Sequence, residues 1–279
     1  MAPQHDGPAS PLFEALPFKG TTSFGSLATA EVSAAMQAAA AAAPKGRCTG
    51  WGIPFLVKRP LLIESDPVSV ELGPVKAEWL VFLHTTDVEP LKWNRDGFVR
   101  PTSGYGQLGE HLADYVLRYS DGSEERQAIR RRHQIGMFQR GWGENCFQAV
   151  CMRKPQPVPA VHEQDSPPLY GMRQLYWGMS QTRARILDLV AWCNWIWAWE
   201  NPHPGKAITR LRVEPVSGVI VLSALSAGRA SSLPLRWETR RKAVLRLPKG
   251  EQFRPHLDEK GLLEQVQLDL GQVISAQPR

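Results

Sequence analysis

WCNWIWAWENPHPGKAI, residues Trp192 to Ile208, holds four of the chain's ten tryptophans and ends in Asn201-Pro202-His203-Pro204. In extended geometry alternate side chains share a face. Cys193, Trp195, Trp197 and Trp199 then point one way, and Trp192, Asn194, Ile196 and Ala198 the other. Both faces are mostly apolar, so this strand is expected inside a layered β structure, covered on both sides. Pro202 and Pro204 lack the N–H donor a central ladder needs, so the chain must leave the sheet there.

Working outward, the composition agrees. The chain has 279 residues, 43% of them hydrophobic, with 23 Gly and 23 Pro. That is enough for one large β domain or two smaller ones, and the Gly and Pro content suits strands joined by turns. No apolar run reaches the roughly 18 residues of a membrane span, and MAPQHDGPASPLFEALPF lacks the basic-then-apolar order of a secretory signal. The expectation is a soluble, cytoplasmic protein with no membrane partner. Cys48, Cys146, Cys151 and Cys193 could close two bridges, but neither a CxxC pair nor a dense secreted pattern occurs, which favours free buried thiols. A net charge of +6 suits a polyanion, and Arg126 with Arg130, Arg131 and Arg132 forms a local basic knot. The 27 acidic residues are interspersed with 33 basic ones, so a solvated surface is the better reading and nucleic acid is not the expected partner.

Along the chain, the segment from Thr29 to Ala43 has strong helix propensity, with Thr29 as the expected cap and a stop at Pro44 to Gly46. Short extended runs follow: Gly50 to Val57, Leu61 to Glu64 and Val68 to Gly73. Glu78 to Thr86 (EWLVFLHTT) reads as a central strand. Leu112 to Tyr119 alternates, with Ala113, Tyr115, Leu117 and Tyr119 inward and Asp114 and Arg118 outward. Asp121-Gly122 then supplies a tight hairpin turn in which both central residues need positive φ, and EERQAIR returns. The five-proline segment Arg153 to Leu169 reads as a loop or insertion. AITRLRVEP, with Thr209, Leu211 and Val213 inward, and SGVIVLSALS read as the last strand pair. KAVLRLP and EQVQLDLGQVIS extend the strand pattern into the C-terminus. The division is an N-terminal extension with an Ala-rich helix (1–46), an all-β antiparallel sandwich (47–232) and a C-terminal strand extension or linker to a further domain (233–279).

The order WGIPF, VELGPVKAEWLVFLHTT, GEHLADYVLRYSDGSEERQAI, WAWENPHPGKAITRLRV, VIVLSALS resembles the galactose-binding-domain-like sandwiches appended to bacterial glycoside hydrolases, polysaccharide lyases and some metal-dependent hydrolases. It covers about two thirds of the chain. The resemblance implies a jelly-roll topology, ligand binding on loops at one end, carbohydrate as the ligand, and a catalytic domain or partner subunit nearby. Some such modules carry a structural calcium. The tryptophan density, the basic knot and the Pro-rich insertion depart from the simplest version of the family.

Several residues could carry recognition. Trp142, between Gly141 and Gly143, and Trp93 in KWNRDG are not explained by strand packing and are the candidate stacking faces for a sugar ring, with Tyr170, Tyr176 and Trp177 as further aromatics. Trp195 to Trp199 could stack too, but a strand apolar on both faces favours interior packing. His84, at the end of a buried strand, could point into a loop-lined cleft and bond a hydroxyl, with Arg130 or Arg132 beside it; a satisfied imidazole at a strand end is the plainer reading. Asp87, Glu89 and Asp96 offer oxygens to a cation such as calcium, although turn chemistry accounts for Asp96 equally well. No zinc spacing and no nucleophile motif occurs, and GYGQLG matches a phosphate loop only in part. Glu144 and Glu200 are the conceivable acid and base of a glycosidase, with nothing to fix their separation. A non-catalytic carbohydrate-recognition or docking module is expected without a cofactor; the alternative is a subunit or N-terminal part of a glycoside-processing or metal-dependent hydrolase.

Overall fold

Apolar runs punctuated by Gly, Pro and Asp become strands in the computed structural model, which describes residues 8–89, 95–96, 108–140, 145–153, 156–157, 184–185, 191–235, 244–254 and 265. In chain order the strands are β1 (Phe13–Leu16), β2 (Gly46–Gly50), β3 (Ile53–Val57), β4 (Leu61–Ile63), β5 (Val68–Val75), β6 (Trp79–Thr86), β7 (His111–Tyr119), β8 (Glu124–Arg130), β9 (Ala149–Cys151), β10 (Gln156–Pro157), β11 (Ala184–Arg185), β12 (Trp195–Glu200), β13 (Ile208–Pro215) and β14 (Ile220–Gly228). Helix α1 (Ala34–Ala39) lies between β1 and β2. Every pairing between these strands is antiparallel.

Two sheets stack into the sandwich. One has the order β1-β14-β6-β12-β9, with β4 also on β14, and the other β5-β13-β7-β8. The tryptophan strand β12 is central, with Trp197 opposite Phe82 of β6 and Ala149 of β9. Its two faces divide as period two dictates. Cys193, Trp195, Trp197 and Trp199 enter the core between the sheets with Phe82, Tyr115, Leu117 and Leu211. Trp192, Ile196 and Ala198 enter a second core on the reverse, closed by Phe24, Leu27, Met36, Ile53 and Phe55. The first sheet is therefore buried on both faces, as β6 shows by having all eight residues buried. The second sheet has one wet face, where Arg126 pairs with Asp114 and Glu214 and Arg210 with Glu71.

The N-terminal segment is part of this architecture. β1 extends the first sheet through Phe13↔Gly228 to Leu16↔Leu225, and α1 buries Met36 and Ala39. The helix begins later than propensity suggests. Ser33, not Thr29, is its cap: Ser33 Oγ accepts from Met36 N at 3.0 Å, while Ser33 N and Oγ both donate to the Asp87 carboxylate at 2.6 Å. A partner 54 positions away thus selects the start. Ser33→Ala is expected to lower stability by about 1 kcal/mol, read from the urea midpoint, because it removes the cap and one arm of the tie to β6.

Other local expectations shift for physical reasons. Gly50 to Val57 is not one run: it turns at Trp51 and Gly52, both at positive φ (56° and 80°), which matches the twist of a two-residue hairpin. The β7–β8 hairpin forms, yet only Gly122 takes positive φ (86°); Gly122 N bonds Tyr119 O and Ser123 N caps on Asp121, so a longer type I turn with a left-handed glycine replaces the two-residue one. In β13 a register shift between Ile208 and Arg210 puts Ile208 in the core instead of Thr209, whose hydroxyl bonds Arg118 O. β13 and β14 are not a pair but belong to opposite sheets. Residues 244–254, part of the expected C-terminal extension, contain no strand, and 266–279 lie outside the described residues. None of the four cysteines is in a disulfide. No helix among the described residues is long and apolar enough to cross a membrane.

Candidate functional site

Antiparallel strands bring β6, β8 and β13 to their ends where β7 and β14 begin, so one end of the sandwich collects the chain around 87–89, 108–111, 130–135 and 215–219. The turn 130–135 is its platform. His133 N and Gln134 N both donate to Arg130 O, Arg132 N donates to Ile135 O at 2.7 Å, and Arg132 adopts φ 62° to close the turn. A left-handed arginine stores local strain that the surrounding bonds must hold.

His84 and Arg130 meet on this platform from opposite sides. His84 is buried in the core, where its Nε2 lies 2.9 Å from Gln134 O and its Nδ1 2.9 Å from Tyr115 Oη. A carbonyl can only accept, so Nε2 carries the proton and Nδ1 accepts from the tyrosine hydroxyl. The hydroxyl that His84 bonds is thus internal. Arg130 is exposed: its main-chain N–H donates to Gln134 Oε1 and its Nη1 to Gly109 O at 3.0 Å. Gln134 therefore ties the exposed arginine to the buried histidine.

Burial pushes the His84 imidazole down to about 3 from an ordinary 6.5, against the opposing effect of the Gln134 carbonyl. Below pH 6.5 the unfolded chain takes a proton that the folded chain refuses, so the stability from neutral His84 is complete above 6.5 and is lost as pH falls towards 3. The expected slope from this group is about 1.4 kcal/mol per pH unit across that window. Denaturant unfolding at pH 7, 6, 5 and 4 measures it, and the His84 ring resonances should not titrate between pH 7 and 4.

Beneath the platform lies a charge cluster. Arg131 is 1% exposed at its side chain; its Nε bonds Glu110 Oε2 at 2.7 Å and its Nη1 bonds Asp87 O at 2.8 Å, with Glu89 Oε2 at 3.8 Å from Nη2. Ser217 Oγ is 3.0 Å from Glu110 Oε1. Burial and a hydrogen bond with the Glu89 carboxyl push Glu110 above the usual carboxylate range, while Arg131 and Ser217 oppose. Glu89 and Glu110 both lie beside the Arg131 guanidinium, so one cation serves two carboxyl groups, and the raised Glu110 carboxyl fits a site that does not readily hold two full negative charges.

The solvent side of the platform carries residues that no motif in the sequence singles out. Phe147 is 71% exposed, with its ring 5.0 Å from that of His133 and its N–H donating to Arg132 O. Asn145 receives two guanidiniums: Arg132 Nε to its main-chain oxygen and Arg140 Nη2 to Oδ1, each at 3.4 Å. Phe147, His133, Arg130 and Arg140 thus share one end. The signal available in sequence was the loop QRGWGENCF itself, in which a second aromatic follows Trp142 by five positions.

Other expected site residues fall elsewhere. Trp93, Trp142, Glu144, Tyr170, Tyr176 and Trp177 lie outside the described residues. Glu200 is exposed and opposite Trp79, at the far end of β12 from the platform. Asp87 spends its carboxylate on Ser33 and on Val88 N (2.7 Å), and Glu89 turns to Glu110 and Arg131. The basic knot is divided: Arg131 and Arg132 are buried, Arg126 is ion-paired on the sheet face, and Arg130 is exposed with no carboxylate partner among the described residues. Among the described residues, no group of three His, Cys, Asp or Glu is placed to hold a metal ion. Comparison with protein-family models, curated proteins and solved structures finds no match to this chain.

Proposed function

We propose that the chain is a non-catalytic recognition module that binds carbohydrate through the loop end of its sandwich, as a jelly-roll accessory domain of a hydrolase or lyase does. The observation that carries the reading is Phe147, a large aromatic 71% exposed whose main chain bonds Arg132 O on the turn 130–135, which His84 and Gln148 hold through Gln134. An aromatic face accepts the C–H groups of a pyranose, and a rigid support reduces the ordering cost of binding. Arg130 and the half-buried Arg140 donate there to neutral oxygens of Gly109 and Asn145, and among the described residues neither pairs with a carboxylate, which suits a hydroxyl or carboxylate of a glycan. The motif order of the five segments supports the same reading by likeness, and likeness of fold alone does not confer a ligand.

Isothermal titration against neutral and acidic mono- and oligosaccharides tests it. Binding is expected, with Phe147→Ala weakening it about tenfold while leaving the unfolding midpoint within about 0.5 kcal/mol of the parent. Silence across the whole panel removes carbohydrate recognition and leaves docking to a partner domain.

A further inference from the structure

Two thiols that no part of the recognition surface uses are in contact. Cys151 Sγ and Cys193 Sγ are 2.9 Å apart, about 0.9 Å beyond a disulfide bond, and both residues are buried in the core between the sheets. Their backbones are fixed independently. Cys151 ends β9 opposite Trp195, and its carbonyl accepts from Trp51 Nε1 at 2.8 Å. Cys193 N donates to Phe138 O at 2.6 Å, and the next carbonyl, Asn194 O, accepts from Met152 N at 2.9 Å. The sulfurs are therefore held face to face by bonds on both sides of each residue, without help from side-chain freedom. Cys146 packs against the same core, whereas Cys48 belongs to the other core.

We infer that Cys151 and Cys193 form a reversible intramolecular disulfide by exchange with a small disulfide, fastening the edge strand β9 to the start of β12 at the loop end. Of the two, Cys151 is the less enclosed at 8% exposure against 2%. Its thiolate attacks the small disulfide and expels one thiol; Cys193, giving up its proton, then attacks the Cys151 sulfur and expels the second. The protein loses two hydrogens, and the reagent is reduced to two thiols. Burial, with the adjacent Cys151 thiol, raises Cys193 as an acid in the dithiol form, so Cys193 rests as the protonated thiol until the exchange at Cys151 has taken place. The bond closes a loop of 42 positions, which restricts the unfolded chain.

The full chain, equilibrated natively with reduced and oxidised glutathione at graded ratios, acid-quenched, alkylated after denaturation and digested, decides the matter by mass spectrometry. The expected product in oxidising mixtures is a linked Cys151–Cys193 peptide with Cys48 alkylated, together with a higher Tm than in reducing mixtures. The Tm difference should vanish in Cys151→Ser and in Cys193→Ser. Separate alkylation of both residues at every ratio, a stable glutathione adduct on Cys151, or a link to Cys146 instead would each overturn it. The peptide map of the parent protein decides even if a serine variant fails to fold.

Discussion

Trp197→Ala is expected to lower stability by about 3–5 kcal/mol, the range for emptying a large aromatic site in a closed core. The Trp197 indole stacks on Phe82 with centroids 5.1 Å apart, lies 6.3 Å from the His84 ring and meets Tyr115 edge-on at 6.4 Å. Removing it opens a cavity between the two sheets at the point where β12 is held by β6 on one side and β9 on the other, so collapse of the surroundings is restricted. Trp197→Phe keeps an aromatic face on Phe82 and should cost only about 1–2 kcal/mol. Urea unfolding followed by far-UV circular dichroism measures both. The experiment also separates two roles for the tryptophan run: a binding platform would lose ligand in Trp197→Ala with its unfolding midpoint preserved, and a core strand loses the midpoint first.

That contrast shows which features were legible in the sequence. The faces of β12 and β6 follow from a period of two and from apolarity on both sides, which are local properties, and the structure divides Trp195, Trp197 and Ile196 accordingly. The cap of α1 was not legible because Ser33 is selected by Asp87, a residue in another layer. In β13 Leu211 and Val213 point inward as their spacing predicts, but Ile208 replaces Thr209 because a bulge at that point carries no sequence mark of its own. Trp51 at positive φ runs against the preference of a bulky side chain, and its indole bond to Cys151 O is what the fold supplies in exchange. At the candidate site, Arg130 was legible as an exposed cation, whereas the burial of its neighbour Arg131 depends on Glu110, 21 positions earlier.

Arg131→Met is the substitution expected to do most harm to the loop end, at about 3–5 kcal/mol, although Arg131 is read in sequence as one of three consecutive surface arginines. Its guanidinium is enclosed and simultaneously satisfies Glu110 and the Asp87 carbonyl, with Glu89 close by. Methionine fills part of the volume but leaves Glu110 and Glu89 facing each other with no cation, and the cost comes from that uncompensated charge more than from lost contacts. Two consequences distinguish this cause from simple misfit. Adding Glu110→Gln should recover more than half of the loss, since the amide can donate to Glu89 without bringing a charge. The deficit of the single variant relative to the parent should also shrink as pH falls from 7 to 5, because without Arg131 the Glu110 carboxyl is pushed further up, the folded variant then holds a proton the unfolded chain gives up, and acid restores what neutral pH removes. Denaturant midpoints of the four proteins at pH 7 and pH 5 close the cycle; an Arg131→Met deficit that is independent of pH and unrelieved by Glu110→Gln would mean that packing, not charge, makes Arg131 necessary.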